Sequence, residues 1–363
     1  MSFDIPYPPN YGGVIDVYYK IRNLNSLGID IILHCFEYGR EHAKELEKYC
    51  KKVNYYIRDM QFTNLISRTP YIVKTRQSKN LINNLLKDSF PILFEGLHTT
   101  YPLTTNKFNN RKTFVRTHNI EHNYYNGLKH SENKISKKLF FQLESIKLKK
   151  YENSIQKADH ILTISPFEHA YFKKHFGDKA TYVPVFFDLL ENKNTLTSNI
   201  FSLWHGDLTV ADNRKSLEYI INIYKGLSHK LVIASNHIEK NLLNSISKIE
   251  NISFKKINSY DELQELIKEA HIHPLVSYQK TGIKLRLLNI LSQGKHIIAN
   301  DNIIEDTGLE TCVHIANDIK SFRNKITELV PKKFLKEDIE IRNEYLKLFN
   351  PKNSAQLILD LLE

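Results

Sequence analysis

The sequence predicts an α/β protein in which two doubly wound domains follow one another. Apolar strands of the kind found in buried parallel sheets, such as Ile29–Phe36, alternate with periodic helices along the chain. With 363 residues, the chain is long enough for two hydrophobic cores. A polar, irregular stretch at Phe186–Ile200 interrupts the alternation. We therefore place the linker there, between a first domain at residues 1–188 and a second domain at residues 200–345.

Short apolar runs flanked by turn residues predict the strands. They are Met1–Ile5, Ile29–Phe36, Val53–Ile57, Pro91–Glu95, Lys112–Thr117, Ala158–Ser165, Lys179–Pro184, Ile200–His205, Lys230–Ala234, Asn251–Lys255, His271–Val276, His296–Ala299 and Cys312–Ala316. The first is short at its front, which leaves open whether the chain begins at its natural start. Apolar residues at helical spacing predict the helices. They are Val14–Leu27, Arg40–Lys51, Leu81–Lys87, Ser131–Gln156, Pro166–Phe176, Arg214–Leu227, Glu239–Ile249, Tyr260–Ala270 and, broken by Pro351, Leu335–Glu363.

The charge of the chain indicates an anionic partner. The net charge is +11 and the isoelectric point is near 9.2. Nucleotide phosphates, an anionic membrane surface and nucleic acid are the partners to weigh, beside the alternative that the composition reflects only an AT-rich genome. No aromatic-plus-basic strand motif supports nucleic-acid binding.

Other compositional features favour the reducing cytoplasm. The sequence shows neither a run of eighteen uncharged apolar residues nor a secretory signal. The three cysteines, Cys35, Cys50 and Cys312, lack the paired spacing of a disulfide framework or a zinc knuckle.

The stretch Tyr278–Ala299 carries the most information about function. After the strand His271–Val276 it continues as a loop, a helix with a broad apolar face, and the next strand. Gly294 suits the position just past the helix.

The start of that helix is unusually basic. Thr281 is a candidate helix cap, and Gly282 lets the backbone approach a ligand closely. Lys284 and Arg286 add positive charge to the first turn, where cations oppose the helix dipole. Two interpretations remain open: an anion such as phosphate binds there, or the residues form a solvated basic face.

Further candidate residues follow predicted strands of the first half, at the sheet edge where doubly wound folds collect ligands. Gly12 and Gly13 lie between the first strand and the first helix and suit close contact with a phosphate or sugar. His98 and His118 follow two later strands.

His118 and His122 have the spacing of two metal ligands on a helix. Glu121 precedes the second histidine, whereas the metalloprotease pattern needs a glutamate directly after the first. A third ligand is not evident nearby. We therefore prefer a polar active-site role for His118, or a hydrogen-bonded loop histidine, and predict no metal site.

The predicted helix Ser131–Gln156 is rich in lysine, including Lys137, Lys138, Lys149 and Lys150. A basic amphipathic helix can lie on an anionic membrane. The alternative is an ordinary solvated face.

The pattern Gly-x-Lys-x-Arg-Leu-Leu-Asn-x-Leu-x-x-Gly-Lys-x-Ile-x-Ala at 282–299 resembles the donor-binding signature of family-4-like glycosyltransferases with the GT-B fold, the group 1 type. Gly12-Gly13 and Ala158–Ser165 also resemble family features, in the same order along the chain. The family has a Glu-x7-Glu element here, and Thr281 and Asn289 stand where its two acids fall. The donor contacts must therefore be altered, or activity is lost.

The resemblance implies two Rossmann-like domains facing each other across a cleft, with residues 346–363 crossing back to the first. It also implies a site in that cleft. The implied catalytic residues are His118, Arg286 and Lys284. The implied substrate-binding residues are Gly12, Gly13, His98, Gly206, Asn213, Thr281, Gly282, Ile283, Leu285 and Asn289. An ordinary helix cap is the alternative role for Asp212 or Asn213.

By the same resemblance, we expect a cytoplasmic hexosyltransferase that moves sugar from a nucleotide diphosphate sugar to a glycan or lipid-linked acceptor. Polysaccharide synthesis, retention of anomeric configuration, and a reaction without metal or cofactor are expected with it. Peripheral attachment to the inner membrane face is a further expectation. The alternatives are a non-catalytic or altered GT-B protein that binds sugar nucleotides, and a sugar-nucleotide epimerase on the same fold.

Overall fold

The computed structural model describes residues 1–189, 199–282 and 284–363. Residues 190–198, which make up most of the predicted linker, and the predicted substrate-binding residue Ile283 lie outside the described residues. The described strands pair in parallel throughout. The predicted doubly wound α/β class is confirmed.

The strands lie close to the predicted segments. They are β1 (Ile32–Glu37), β2 (Lys52–Ile57), β3 (Ile92–Glu95), β4 (Thr113–Thr117), β5 (His160–Thr163), β6 (Ala180–Tyr182), β7 (Asn199–His205), β8 (Leu231–Ser235), β9 (Ile252–Lys256), β10 (Ala270–Leu275), β11 (His296–Ala299) and β12 (His314–Ile315). The helices are α1 (Gly12–Ser26), α2 (Tyr71–Lys74), α3 (Lys79–Leu85), α4 (Glu121–Ser131), α5 (Ile135–Glu152), α6 (Pro166–Phe176), α7 (Ala211–Tyr224), α8 (Lys240–Ile246), α9 (Tyr260–Glu269), α10 (Leu285–Gln293), α11 (Asp301–Ile304), α12 (Ile319–Leu329), α13 (Lys336–Leu346) and α14 (Pro351–Asp360).

The first residues of the chain join the strands of the first half. β1 pairs with β2, and β3, β4, β5 and β6 form a set in that order. The Ser2 amide donates to the carbonyl of His34 in β1, and the Glu95 amide of β3 donates to the carbonyl of Met1. The predicted strand Met1–Ile5 makes only a single bridge, because the Ser2 hydroxyl donates to the Asp4 carbonyl and bends the backbone.

The strands of the second half form one sheet in the order β12-β11-β10-β7-β8-β9. The order reverses between β10 and β7, which opens a crevice at their carboxyl ends. Neighbouring residues of β7 face opposite sides: Leu203 packs in one hydrophobic cluster with Leu288 of α10, and Trp204 packs in another with Leu217 of α7. Helices therefore cover both faces of this sheet, as a doubly wound fold requires.

Gly294 ends α10, as predicted, but for a different reason. Its φ of −84° is open to any residue. A β-carbon there would lie 2.6 Å from Cγ2 of Ile290 and 2.7 Å from Nε2 of His273 in β10. Glycine is therefore needed for close packing of the helix end on the sheet.

One predicted helix is wrong. Within Arg40–Lys51, the structure forms only a short 3-10 turn at Lys44–Lys48. The His42 ring stacks on Tyr55 at 3.7 Å, and the Tyr55 hydroxyl accepts from the Ala43 amide. These contacts with β2 hold the start of the segment in an extended conformation, and they overrule its helical periodicity.

The long helix predicted at Ser131–Gln156 is shorter, and an unpredicted helix, α4, precedes it. Glu132 separates the two helices. Its Oε1 accepts from the amides of Asn133 and Lys134 at 2.9 and 3.1 Å, which closes α4 and turns the chain into α5.

The C-terminal helix α14 packs on elements of the first half. Ala355 and Ile358 belong to one hydrophobic cluster with Leu24 of α1 and Phe114 of β4. Pro351 occupies the first turn of α14, where a proline costs no hydrogen bond.

Candidate active site

Arg286 lies at the crevice of the second sheet. Its Nη1 donates to the carbonyl oxygen of His205, the last residue of β7, at 2.8 Å. Its guanidinium lies 5.8 Å from the centre of the Trp204 ring. A β-carbon on Gly206 would lie 3.0 Å from Nη1, so the glycine leaves the space that the guanidinium occupies.

Lys284 provides a second cation close to Arg286. The side chain is half-buried, and its Nζ donates to the carbonyl oxygen of Thr281 at 2.8 Å. Burial lowers the pKa of Lys284 to about 8, against the opposing attraction of Asp212 and Glu168. Lys284 is therefore mainly charged at neutral pH, and two cations meet at this end of the sheet.

Thr281 does not cap α10, which corrects the sequence prediction. The helix begins at Leu285, and the preceding Lys284 has a non-helical backbone with no side-chain cap. The Thr281 hydroxyl donates to Glu168 Oε1 at 2.9 Å and accepts from the Ile120 amide at 3.1 Å. Both partners belong to the first half of the chain, so Thr281 joins the two halves instead of starting the helix.

Glu168 also binds the amide of Gly282. This amide donates to Glu168 Oε1 at 2.7 Å, and Glu168 is fully buried. Gly282 has a φ of +73°, and a β-carbon there would lie 2.4 Å from Oδ1 of Asn119. Only glycine fits this position. A side chain of the protein itself thus accepts the hydrogen bond of this amide, so the Gly282 amide is not free to bind a phosphate.

Gly12 and Gly13 form the start of α1 on the other side of the cleft. No side chain caps this helix start. A β-carbon on Gly12 would lie 3.7 Å from Cδ1 of Leu285, and one on Gly13 would lie 2.5 Å from the Phe3 ring. The amide-rich starts of α1 and α10 therefore face each other.

His118 follows β4 and is held by a carboxylate. Its Nε2 lies 3.1 Å from Glu95 Oε2, at the end of the neighbouring strand β3. The Phe3 ring packs against it edge-on at 5.4 Å. The contact with Glu95 fixes the orientation of the imidazole.

A buried charge network continues behind Glu95. Lys20 Nζ lies 2.9 Å from Glu95 and 2.8 Å from Asp16, and Arg116 lies 2.8 Å from Asp16. Burial opposes ionisation of Glu95, but Lys20 and His118 outweigh it and hold the pKa of that carboxyl below its usual range. The carboxylate that holds His118 is therefore ionised at neutral pH.

His98 packs against the same phenylalanine ring as His118. Its ring is 5.1 Å from the Phe3 ring. Burial lowers the pKa of His98 well below its usual value, with Arg76 adding to the shift. The imidazole of His98 is therefore neutral at physiological pH.

Asn213 and Arg214 hold the loop that follows β7. Helix α7 begins at Ala211, so the alternative role of Asp212 or Asn213 as a helix cap is wrong. Asn213 Nδ2 donates to the carbonyl of Asp207 at 2.8 Å, and Arg214 Nη1 donates to that of Leu208 at 2.9 Å. These bonds bring the loop back over the end of the sheet.

Asn289 is half-buried and lies one turn into α10. Its carbonyl accepts from the Ser292 hydroxyl. The structure thus brings Gly12, Gly206, Lys284, Leu285 and Arg286 to one cleft, with Asn289 behind them on the helix.

No family model matches the chain. A protein of Klebsiella pneumoniae, described as an uncharacterized 44.6 kDa protein in the cps region, is 28% identical over 350 residues, 90% of this chain and 89% of that protein.

Solved structures match almost the whole chain. HepE from Anabaena, in complex with UDP-glucose, has a TM-score of 0.67 with 11% identity, over 99% of this chain and 98% of that chain. Sucrose-phosphate synthase from Thermosynechococcus elongatus has a TM-score of 0.66 with 14% identity, over 97% and 92%. WaaG, a glycosyltransferase involved in lipopolysaccharide biosynthesis, has a TM-score of 0.66 with 11% identity, over 98% and 99%. The chain has the GT-B fold. The fold implied by the sequence resemblance is confirmed, and the roles of individual residues remain predictions.

The sequence alone did not predict that Glu168 reaches this cleft, where it contacts Thr281 and Gly282. Ser165 and Glu168 have the spacing of a capping box, and the Ser165 hydroxyl does accept from the Glu168 amide at 3.2 Å. That local signal explains the start of α6. It gives no indication that the same carboxylate reaches Thr281, more than a hundred residues later in the chain.

The sequence marks Glu121 only as a neighbour of His118 and His122. The side chain is 2% exposed, and its Oε1 has no hydrogen-bond partner among the described residues. Burial raises the pKa of Glu121 to about 8, and Glu152 and Glu168 add to the shift. A protonated carboxyl group therefore lies beside the cleft at neutral pH.

His118 and His122, whose spacing suits two metal ligands, each contact a different carboxylate. His122 lies in α4 with its Nδ1 3.5 Å from Glu152, while His118 faces Glu95. The two rings therefore do not form the helical ligand pair that their spacing suggests.

Another group of metal-ligand types surrounds His118. Ligand atoms of Asp16, Glu95 and His118 lie within 4.8 Å of one another. Lys20 Nζ binds both carboxylates of this group at hydrogen-bond distance. The ammonium supplies the positive charge that a metal would bring, so the arrangement is explained as an ion-pair network.

Proposed function

We propose that this GT-B protein is a glycosyltransferase that moves a hexose-type sugar from a nucleotide diphosphate sugar to a glycan or lipid-linked acceptor. One observation carries the proposal: Lys284 and Arg286 meet at the crevice of the second sheet, opposite the helix start at Gly12. Two cations beside two amide-rich helix starts suit a diphosphate.

The similar proteins support this substrate class. HepE was solved with UDP-glucose, and WaaG is described as acting in lipopolysaccharide biosynthesis. The Klebsiella relative is named for a cps region, which hints at capsule polysaccharide synthesis. We therefore propose a role in the synthesis of cell-surface polysaccharide.

The proposed chemistry depends on the leaving group. As the bond between sugar and diphosphate breaks, negative charge grows on the diphosphate. Lys284 and Arg286 stabilise that charge most strongly in the transition state, which lowers the barrier. We propose that these cations serve in place of a metal ion, that no further cofactor takes part, and that the sugar keeps its anomeric configuration.

His118 is proposed to lie beside the reacting sugar. Glu95 orients its imidazole from behind, and Phe3 closes one side. A fixed imidazole can hydrogen-bond a sugar hydroxyl and so align donor and acceptor for reaction. We assign His118 this organising role.

We further propose that the protein works in the cytoplasm, on the inner face of a membrane. The buried cysteines Cys35, Cys50 and Cys312 are free thiols, which suits a reducing compartment. None of the described helices has both the length and the apolar character of a membrane span. Lysine-rich α5 suits attraction to anionic lipid headgroups.

The test is an incubation of the purified protein with a panel of radiolabelled nucleotide sugars and cell lipid extract. We expect one nucleotide sugar to be consumed and its label to appear in a lipid or glycan product. Failure of every nucleotide sugar and nucleoside diphosphate to bind would contradict the proposal.

A binding protein without transferase activity is the second candidate. The signature positions Thr281 and Asn289 carry no carboxylates, and Glu168 occupies the Gly282 amide. Binding of a nucleotide sugar without its consumption would favour this candidate. Conversion of one nucleotide sugar into another without an acceptor would instead indicate an epimerase.

A further inference from the structure

A stripe of exposed apolar side chains runs along α5. Ile135, Leu139, Leu143 and Ile146 are 83%, 59%, 50% and 47% exposed. Spacings of four, four and three residues bring them to the same face of the helix. Leu148, on the opposite face, is fully buried in the core of the first half. The stripe therefore faces away from the protein.

A second group of exposed apolar side chains begins at the last residue of β2 and ends before α2. Ile57, Met60, Phe62 and Ile66 are 81%, 44%, 87% and 88% exposed. A 3-10 turn at Phe62–Ile66 presents the last two of these residues.

The two groups are neighbours in space. Lys147 of α5 donates to the Leu65 carbonyl at 2.8 Å, inside the 3-10 turn. The Tyr71 amide donates to Glu144 Oε2 at 2.6 Å, and the Tyr71 ring packs edge-on against Phe140. The two groups therefore lie beside each other, and together we name them the apolar patch. It consists of Ile57, Met60, Phe62, Ile66, Ile135, Leu139, Leu143 and Ile146.

Positive charge surrounds the α5 part of the apolar patch. Five lysines in and next to the helix are exposed: Lys134, Lys137, Lys138, Lys149 and Lys150. The acidic residues of α5, Glu144 and Glu152, are buried. Within Ile135–Glu152, all of which the structure describes, the exposed charges are therefore cationic.

We propose that the apolar patch docks on an anionic lipid bilayer, with its side chains in the headgroup boundary and the flanking lysines on the headgroups. Contiguous exposed apolar surface is rare on proteins that meet only water. A second copy of the chain docked on the apolar patch would place its own lysines opposite the lysines of α5, and the like charges would repel. The inference specifies how the proposed membrane location is achieved, and it does not depend on the transfer chemistry.

The first test is sedimentation of the full-length protein with lipid vesicles. We expect binding to vesicles of phosphatidylcholine mixed with phosphatidylglycerol, and much weaker binding to phosphatidylcholine alone. The double variant Leu139→Ser/Leu143→Ser should bind on the order of tenfold more weakly, because it removes apolar area from the contact. The matched control is Leu335→Ser/Leu348→Ser, whose leucines are 50% and 62% exposed elsewhere, and it should bind normally.

The second test addresses charge. Replacing Lys138, Lys149 and Lys150 by glutamine should weaken binding to the mixed vesicles and reduce its sensitivity to salt. The same replacement at the exposed Lys333, Lys336 and Lys352 should have little effect.

The inference is overturned by equal binding to both kinds of vesicle, or by equal loss in the control variants. It is also overturned if the protein self-associates and the leucine variant abolishes that association. Consumption of a nucleotide sugar without vesicles, and the far-ultraviolet circular dichroism spectrum, are measured in parallel. Suppose that the leucine variant keeps its sugar-nucleotide consumption and its spectrum, and binds vesicles as tightly as the unchanged protein. That result refutes the docking surface alone and leaves the proposed function standing.

Discussion

At the scale of single residues, Arg286 is the most direct test of the site. It lies over Gly206 and bonds the last carbonyl of β7. We predict that Arg286→Ala keeps the fold and lowers turnover at least tenfold, because loss of one preorganised contact to a developing charge typically costs about 3 kcal/mol of barrier. Initial rates with the consumed nucleotide sugar measure this effect.

The control for this variant is Arg323→Ala. Arg323 also donates to main-chain carbonyls, those of Asn222, Ile223 and Lys225, but it lies on α12. We expect it to leave turnover unchanged. Full turnover in Arg286→Ala would count against the assignment of the site.

Lys284 gives the site a predicted dependence on pH. Its pKa is lowered to about 8, so the side chain is charged below that pH and loses its proton above it. We predict that the affinity for a nucleoside diphosphate falls as the pH rises from 7 to 9.5. Lys284→Arg, which stays charged throughout this range, should keep its affinity at the upper end. The same decline in both proteins would show that another group is responsible.

At the scale of elements, the loop between β10 and α10 is held from the first half of the chain. The Thr281 hydroxyl and the Gly282 amide both donate to Glu168. We predict that Glu168→Ala speeds hydrogen exchange in the loop, because the Gly282 amide loses its acceptor. Mass spectrometry of peptides that contain Gly282 measures this exchange.

The comparison variant for the loop is Glu265→Ala, since Glu265 is exposed on α9 and pairs only with a neighbouring lysine in the described contacts. It should leave the exchange of the loop unchanged. Unaltered protection of Gly282 in Glu168→Ala would mean that the carboxylate does not hold the loop.

Helices were predictable where their boundaries are set by local signals. The bounds of α6, Pro166–Phe176, agree with the prediction because Ser165 caps the helix, Pro166 starts it and Gly177 ends it. The segment 40–51 has helical periodicity too, but contacts with β2 decide its conformation. Tertiary partners of this kind leave no periodic pattern in the sequence.

At the scale of the whole molecule, buried histidines make stability sensitive to acid. Burial lowers the pKa of His229 and His296 to about 4 and that of His205 to about 3. The unfolded chain binds protons at these positions from about pH 6.5 downwards, while the folded chain does not. We therefore predict that the free energy of unfolding falls from pH 6.5 towards pH 4, by up to about 1.4 kcal/mol per pH unit for each histidine.

Urea unfolding at a series of pH values tests this prediction, with His296→Gln as the comparison variant. The variant should show a shallower decline, since one titrating group is gone. A free energy of unfolding that stays constant between pH 6.5 and 4 would contradict the proposed cause.

The overall architecture could be predicted because alternating strands and helices are encoded locally, in short stretches of sequence. The position of Gly12 at the cleft followed from the rule that ligands meet the carboxyl ends of parallel strands. The resemblance to family-4-like glycosyltransferases implied that Lys284 and Arg286 lie in the same cleft. The contact of Glu168 with Thr281 could not be predicted. It depends on how the two halves of the chain meet, and no local pattern reports that.

The central claim is that Lys284 and Arg286 bind the diphosphate of the donor in the cleft. The most direct measurement is a crystal structure of the protein soaked with the nucleoside diphosphate that binds best. We predict phosphate oxygens within hydrogen-bond distance of both side chains, between the starts of α1 and α10. A nucleotide bound elsewhere, or no binding of any nucleoside diphosphate at millimolar concentration, would contradict it.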